Sequence, residues 1–380
     1  MVDAITIRRP DDFHLHLRQG DQLTNVFGYT AEVFARGIPM PNIMTEDDPL
    51  DEGMRSPPVW TASMMEQYRR SIEQVRYQQS HDAARKFESL MSIALLDQTQ
   101  PRHIVEAVEA GAIIAKAYPV RKKLVRLPSP SILAGPVGEM TTNAHYGISD
   151  FRAPALQPTL QAMSDTELTL SIHGEKPSSC SLDREKDFLT DLVWLHEHYP
   201  QLKIVLEHIT TAAAIGCVNS LGANVAATVT VHHLILTIDD VIGGKLNPHN
   251  FCKPIAKYPQ DQEALLGAVV SGLEKIFLGT DSAPHLKENK ECAQGCAGVF
   301  SAPVAMQVLT QLFEECGVLP RLEPFVSEFG ARFYGLPLNN DTITMIKRPW
   351  VVPSVLAGGI VPYMAGGNLD WQVEGVEVLR

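Results

Sequence analysis

Four histidines, one aspartate and one lysine stand at or near the ends of short apolar runs. His14 and His16 flank Leu15, a spacing that puts both imidazoles on one face of an extended strand, where they can share a metal ion. His173 in Ser-Ile-His-Gly-Glu, His208 in Leu-Glu-His-Ile-Thr and Asp281 in Leu-Gly-Thr-Asp-Ser-Ala-Pro-His close three further runs. An H-x-H pair alone is a weak signal, because paired histidines on a strand are often surface or core residues. Imidazoles and a carboxylate arriving from four strand ends are instead the donor set of a metal site. Lys116 lies inside Ile-Ile-Ala-Lys-Ala-Tyr-Pro. A lysine there either reaches to water along its stem or is modified, since a buried unpaired ammonium is costly. The company of four histidines and an aspartate favours a modified metal ligand.

Bringing those residues together requires a repeated scaffold. β-rich runs alternate with amphipathic stretches along the chain, the pattern of βα units around a parallel sheet. The candidate strands are Phe13–Leu17, Gly37–Pro41, Met91–Leu96, Ile113–Tyr118, Leu168–His173, Lys203–Ile209, Asn224–Thr230 and Lys275–Asp281. Helical spacing of three and four recurs in Asp183–His198, Ala212–Leu221, Gln260–Leu273 and Ala302–Glu315. Eight repeats with apolar strands predict a closed (β/α)8 barrel of the TIM type, its metal site at the C-terminal mouth of the strands. A doubly wound sheet is the second choice. The expected organisation is one barrel domain over residues 1–380, with loop insertions near 43–60 and 120–140 and a C-terminal segment from about Glu323 packed on the barrel. Loops after barrel strands are where substrate contacts and lids are placed, although tolerated surface insertions look the same.

Composition narrows the class. A hydrophobic fraction of 45% with 20% charged residues suits a core-forming chain. The formal charge of −12 repels phosphate backbones and anionic lipid, so no nucleic-acid or membrane partner is expected. The N-terminus lacks an apolar signal stretch, no run of about 18 apolar residues occurs, and a cytoplasmic location follows. Cys180, Cys217, Cys252, Cys292, Cys296 and Cys316 are too sparse for a disulfide scaffold and read as reduced thiols. Cys292 and Cys296 could bind metal, but C-x3-C without a second pair is weak and buried thiols are the plainer reading.

The motifs as a set resemble the amidohydrolase superfamily and, within it, the shorter dihydroorotases of bacteria and fungi. The resemblance runs from Arg8-Arg9-Pro10-Asp11-Asp12-Phe13-His14-Leu15-His16-Leu17-Arg18 to Phe333-Tyr334-Gly335-Leu336-Pro337. Between these lie Met40-Pro41-Asn42, Ala115-Lys116-Ala117-Tyr118-Pro119, His173-Gly174-Glu175, Glu207-His208-Ile209-Thr210 and Gly279-Thr280-Asp281-Ser282-Ala283-Pro284-His285. It implies two zinc ions bridged by a carbamylated Lys116 and by hydroxide. His14, His16 and Asp281 would hold one ion and His173 and His208 the other, with Asp281 also carrying the catalytic proton. The implied substrate is a small molecule, dihydroorotate or its open form carbamoyl aspartate, in pyrimidine biosynthesis. Its carboxylate would meet Arg18, Asn42 and His285, with further contacts from the Lys253 and Ala297 backbones and from Thr141 and Thr142. A homodimer is compatible with the sequence.

The departures from this family lie in loops. Ile43-Met44-Thr45 and an acidic stretch stand where bacterial relatives follow Met-Pro-Asn closely with Pro-Pro, and Met140-Thr141-Thr142-Asn143 arrives after an insertion. Two other functions compete. A hydantoinase, dihydropyrimidinase or allantoinase would act on a neutral ring and leave the three carboxylate-type donors unpaired. A non-catalytic scaffold would be expected to lose ligands, and all six candidates are present.

Overall fold

A computed structural model describes residues 3–43, 58–120, 146–293 and 295–377. Its strands are β1 (Ala4–Arg8), β2 (Asp11–Leu15), β3 (Arg36–Pro39), β4 (Glu88–Ser89), β5 (Ser92–Leu95), β6 (Ile114–Ala117), β7 (Thr169–Ile172), β8 (Ile204–Leu206), β9 (Val225–Val229), β10 (Ile276–Leu278), β11 (Thr342–Val351) and β12 (Asn368–Glu377). A six-stranded run has the order β10-β9-β8-β7-β6-β5, and a second run the order β2-β3-β4, all parallel. Only Leu90 and Met91 separate β4 from β5, so these are two pieces of one strand that joins the runs. At the other seam the Asp281 amide donates to the His14 carbonyl at 2.8 Å, and the His16 amide donates to the Ser282 carbonyl at 3.0 Å. The sheet closes as an eight-stranded (β/α)8 barrel, and the doubly wound alternative is set aside.

Period-two alternation sorts the strand side chains. Ala115, Leu170, Ile204, Leu206, Ala227 and Leu278 join the larger core that includes helix residues such as Leu160, Leu192 and Leu265. Their neighbours Ile114, Val205, Ala226 and Phe277 form a separate cluster with Phe13, Ile38 and Leu90. The same inward face continues two residues further along each strand, to Lys116, Glu207, Thr228 and Gly279. Gly279 is required there: a Cβ would lie 2.9 Å from the Cβ atoms of both His14 and Thr228.

The first barrel strand, β2, begins two residues before the expected Phe13. Asp11 and Asp12 are too polar to read as strand, yet both are buried and bonded, Asp11 to Arg36 and Asp12 to the Thr280 amide and hydroxyl. After Glu323 the weakening pattern conceals two ten-residue strands. β11 pairs antiparallel with both β1 and β12. Lys347, Arg348 and Pro349 in β11 and Gly375 in β12 obscure the alternation that marks a strand. Before this sheet, the 324–334 segment plugs the barrel floor, with Tyr334 stacked on Phe13 at 5.0 Å between ring centroids. The insertions expected near 43–60 and 120–140 lie almost wholly outside the described residues. No helix among the described residues is long and apolar enough to cross a membrane.

Candidate metal centre at the barrel mouth

His14 and His16 leave β2, Lys116 projects from β6, and His173, His208 and Asp281 follow β7, β8 and β10. The mouth therefore collects side chains from five strands. His14 Nε2 lies 3.4 Å and His16 Nε2 3.0 Å from the same oxygen, Asp281 Oδ1. His173 Nδ1 lies 3.2 Å from His208 Nε2. The two groups meet where the His14 and His208 rings approach to 5.0 Å between centroids. Ligand-type atoms of His14, His208 and Asp281 all fall within 4.8 Å of one another.

Two buried glutamates, whose roles the sequence reading did not assign, fix the ring protons. Glu207 Oε2 lies 2.8 Å from His14 Nδ1 and also accepts from Thr228, while Oε1 accepts from Ser171. Burial alone would raise the Glu207 carboxyl, but Lys116, His14 and Ser171 bring it down to about 2. An ionised carboxylate only accepts, so His14 Nδ1 carries the proton and Nε2 presents a lone pair. Glu175 Oε2, 2.8 Å from His173 Nε2, fixes that ring in the same way and frees its Nδ1. Their visible signal was a carboxylate one residue before His208 and another two residues after His173.

This arrangement fits a cation. The His14 Nε2 lone pair faces a carboxylate oxygen, a repulsive contact that a positive charge between them would reverse. Lys116 Nζ is buried without a hydrogen-bond partner among the described residues, and the nitrogens that His16 and His208 turn to the cluster are Nε2. Burial lowers His14, and lowers His16 and His208 well below the usual imidazole range, which keeps them neutral as metal ligation requires. Burial also pulls Lys116 down to about 8 against the opposing pull of Glu207 and Asp281. Asp281 is raised, mainly by burial. His208 and Asp281 hold φ values of 42° and 44°, left-handed conformations uncommon for non-glycine residues and concentrated at functional sites.

The substrate-type residues border the same mouth. Arg18, also left-handed at φ 61°, places Nη2 3.2 Å from His285 Nε2 and donates through Nε to the Pro284 carbonyl. Arginine only donates, so His285 Nε2 accepts and the ring is neutral. Tyr118 donates to Asn42 Oδ1 at 2.8 Å, which orients the amide. The Ala297 main chain lies beside the His285 ring. Lys253 follows Cys252, whose thiol contacts His233. Thr141 and Thr142 lie outside the described residues. Neither Cys292 nor Cys296 belongs to a group able to hold a metal among the described residues; Cys252 does, with His232 and His233. Both ring nitrogens of His233 are already engaged, by Thr230 and the Pro254 carbonyl.

No family model matches the chain. A dihydroorotase of Shewanella pealeana is 41% identical over 380 residues, covering 98% of this chain and 99% of the relative. The crystal structure of a Saccharomyces cerevisiae dihydroorotase in complex with 5-fluoroorotic acid superposes with a TM-score of 0.83 at 34% identity, covering 100% of both chains. An L-hydantoinase of Arthrobacter aurescens shares the fold alone, at 15% identity and a TM-score of 0.73 over 99% of this chain and 85% of its own. With full-length identity of this order added to the barrel and its mouth, the chain belongs to the dihydroorotase family.

Proposed function

We propose that this chain hydrolyses the cyclic amide of dihydroorotate to N-carbamoyl-L-aspartate and catalyses the reverse cyclisation, as a step of pyrimidine biosynthesis in the cytoplasm. His14, His16 and Asp281 would hold one zinc ion and His173 and His208 a second, with carbamylated Lys116 shared between them. Carbamylation replaces an ammonium with a carboxylate-like group, which removes the unpaired buried cation and supplies two oxygens. When bound, the two ions polarise the substrate carbonyl and bring the attacking water into its hydroxide form near neutral pH.

Asp281 moves the proton. Its Oδ1 faces both imidazoles, so Oδ2 is the atom that would take the proton from the attacking hydroxide and pass it to the leaving ring nitrogen as the carbon–nitrogen bond breaks, leaving the product as a carboxylate. Arg18, Asn42 and His285 hold the substrate carboxylate, Arg18 through a charge-assisted fork. The Lys253 and Ala297 backbones would add further substrate contacts.

The observation that carries this reading is the pairing of Arg18 with His285 beside imidazoles that converge on Asp281 and on one another. A neutral ring offers no carboxylate for that guanidinium to grip. Carbamoyl aspartate cyclisation and dihydroorotate opening should both proceed, and dihydrouracil should be opened on the order of 10³-fold more slowly, because a site built for a charged hydrogen bond rejects the analogue lacking it. Equal rates on dihydrouracil and dihydroorotate would move the assignment to a neutral-ring amidohydrolase.

A further inference from the structure

Lys290 ends the short helix Lys287–Lys290 and is 2% exposed. Its ammonium donates to the carbonyls of Phe251 at 3.0 Å, Cys296 at 2.9 Å and Gly298 at 2.5 Å. All three of its protons are thereby used, on acceptors from two loops far apart in sequence. The Gly298 amide adds a direct tie to the Phe251 carbonyl at 2.9 Å.

Both loops reach the barrel mouth. The Ala283 amide donates to the Val299 carbonyl at 2.9 Å, which seats the second loop on the segment between Asp281 and His285. Gly298 has φ 153°, and a Cβ there would come within 2.8 Å of the Ala283 carbonyl and 2.9 Å of His285 Cδ2. The loop is therefore pressed onto the histidine as closely as a backbone allows. With the carbonyls of Cys296 and Gly298 drawn to one ammonium, the intervening Ala297 backbone is left to face the other side, where the His285 ring lies. In the first loop, Lys253 stands two residues beyond the tethered Phe251.

We propose that Lys290 is a positioning residue for substrate recognition: by clamping the 251–254 and 296–298 main chains together, it sets the Lys253 and Ala297 backbones and the His285 ring as one wall of the substrate pocket. This rests on the dihydroorotase reading above. The Lys290 ammonium donates to main-chain carbonyls of Phe251, Cys296 and Gly298, none of them a proposed metal ligand, so its loss acts on binding and leaves the metal centre and the proton path in place.

The test is Lys290→Met, followed by KM and kcat for dihydroorotate, the inhibition constant of 5-fluoroorotic acid, and bound metal. KM and the inhibition constant should rise together, by roughly 10–100-fold as for other supporting residues around a site, with metal content unchanged and kcat altered much less. Lys290→Arg, which keeps the charge but cannot present three donors from one nitrogen, should fall between wild type and Met; if the Met variant does not fold, the Arg variant carries the test alone. Wild-type KM and inhibitor binding in a folded variant would overturn the clamp, as would a fall in kcat accompanied by metal loss. A wild-type enzyme that neither turns over dihydroorotate nor binds 5-fluoroorotic acid would instead remove the functional reading beneath it.

Discussion

Arg36 and Asp11, at the N-terminal ends of neighbouring strands, form a double hydrogen bond of 2.9 and 2.6 Å, and Asn339 donates to the same carboxylate at 2.8 Å. Beside them Arg9 donates to the carbonyls of Ala31, Val33 and Ala83, with Asp341 3.6 Å away. At the opposite mouth His16, His208 and Lys116 each bury a nitrogen without a hydrogen-bond partner among the described residues, and two imidazoles converge on one carboxylate oxygen. Both ends bury charge, but the floor pairs its cations Arg9 and Arg36 with carboxylates, whereas the mouth leaves the Lys116 ammonium without a hydrogen-bond partner among the described residues. A buried ammonium without a partner costs stability, and the carbamylation proposed for Lys116 would remove that cost. The floor holds the barrel together, and the mouth carries the candidate site.

Substitutions at the two ends should therefore separate. Asp281→Asn keeps the shape but cannot carry a proton, so kcat should fall by up to about 10⁴-fold while substrate affinity changes much less; wild-type turnover would remove Asp281 as the base. Arg18→Met should lower dihydroorotate turnover by about 10³-fold and leave dihydrouracil nearly unaffected, and equal losses on the two substrates would detach Arg18 from the carboxylate. Glu207→Gln removes the negative charge beside His14 and replaces one of two accepting oxygens with an amide donor, and metal affinity should drop by roughly 10–100-fold. Unchanged affinity in a chelator competition would show that the glutamate only fills space. At the floor, Arg36→Met leaves Asp11 buried beside fewer donors and should cost about 3–5 kcal/mol of unfolding free energy, with kcat per folded molecule unchanged at low temperature. A catalytic defect in that folded variant would erase the distinction between the ends.

Much of the barrel was legible because a strand buried on both faces reads as an apolar run, as in Ile113-Ile114-Ala115 and Ile204-Val205-Leu206. β11 and β12 were not, since their half-exposed faces carry charges, a proline and a glycine among the apolar positions. Asp11 and Asp12 were missed for a related reason: their burial depends on Arg36 and Thr280, partners distant in the chain. At the mouth, the residue types and strand ends were enough to nominate the donors. The roles of Glu207 and Glu175 needed the third dimension, because the nitrogen each one engages decides which lone pair remains. The left-handed backbone at Arg18, His208 and Asp281 has no signature in non-glycine residues.

The central claim is that the converging imidazoles and Asp281 at the mouth form a two-metal site assembled around Lys116. Elemental analysis of the purified wild-type chain and of Lys116→Ala, alongside dihydroorotate hydrolysis, tests it most directly. Two zinc ions per wild-type chain are expected, with both metal retention and turnover lost in the variant. A Lys116→Ala protein that kept two zinc ions and full turnover would contradict the account.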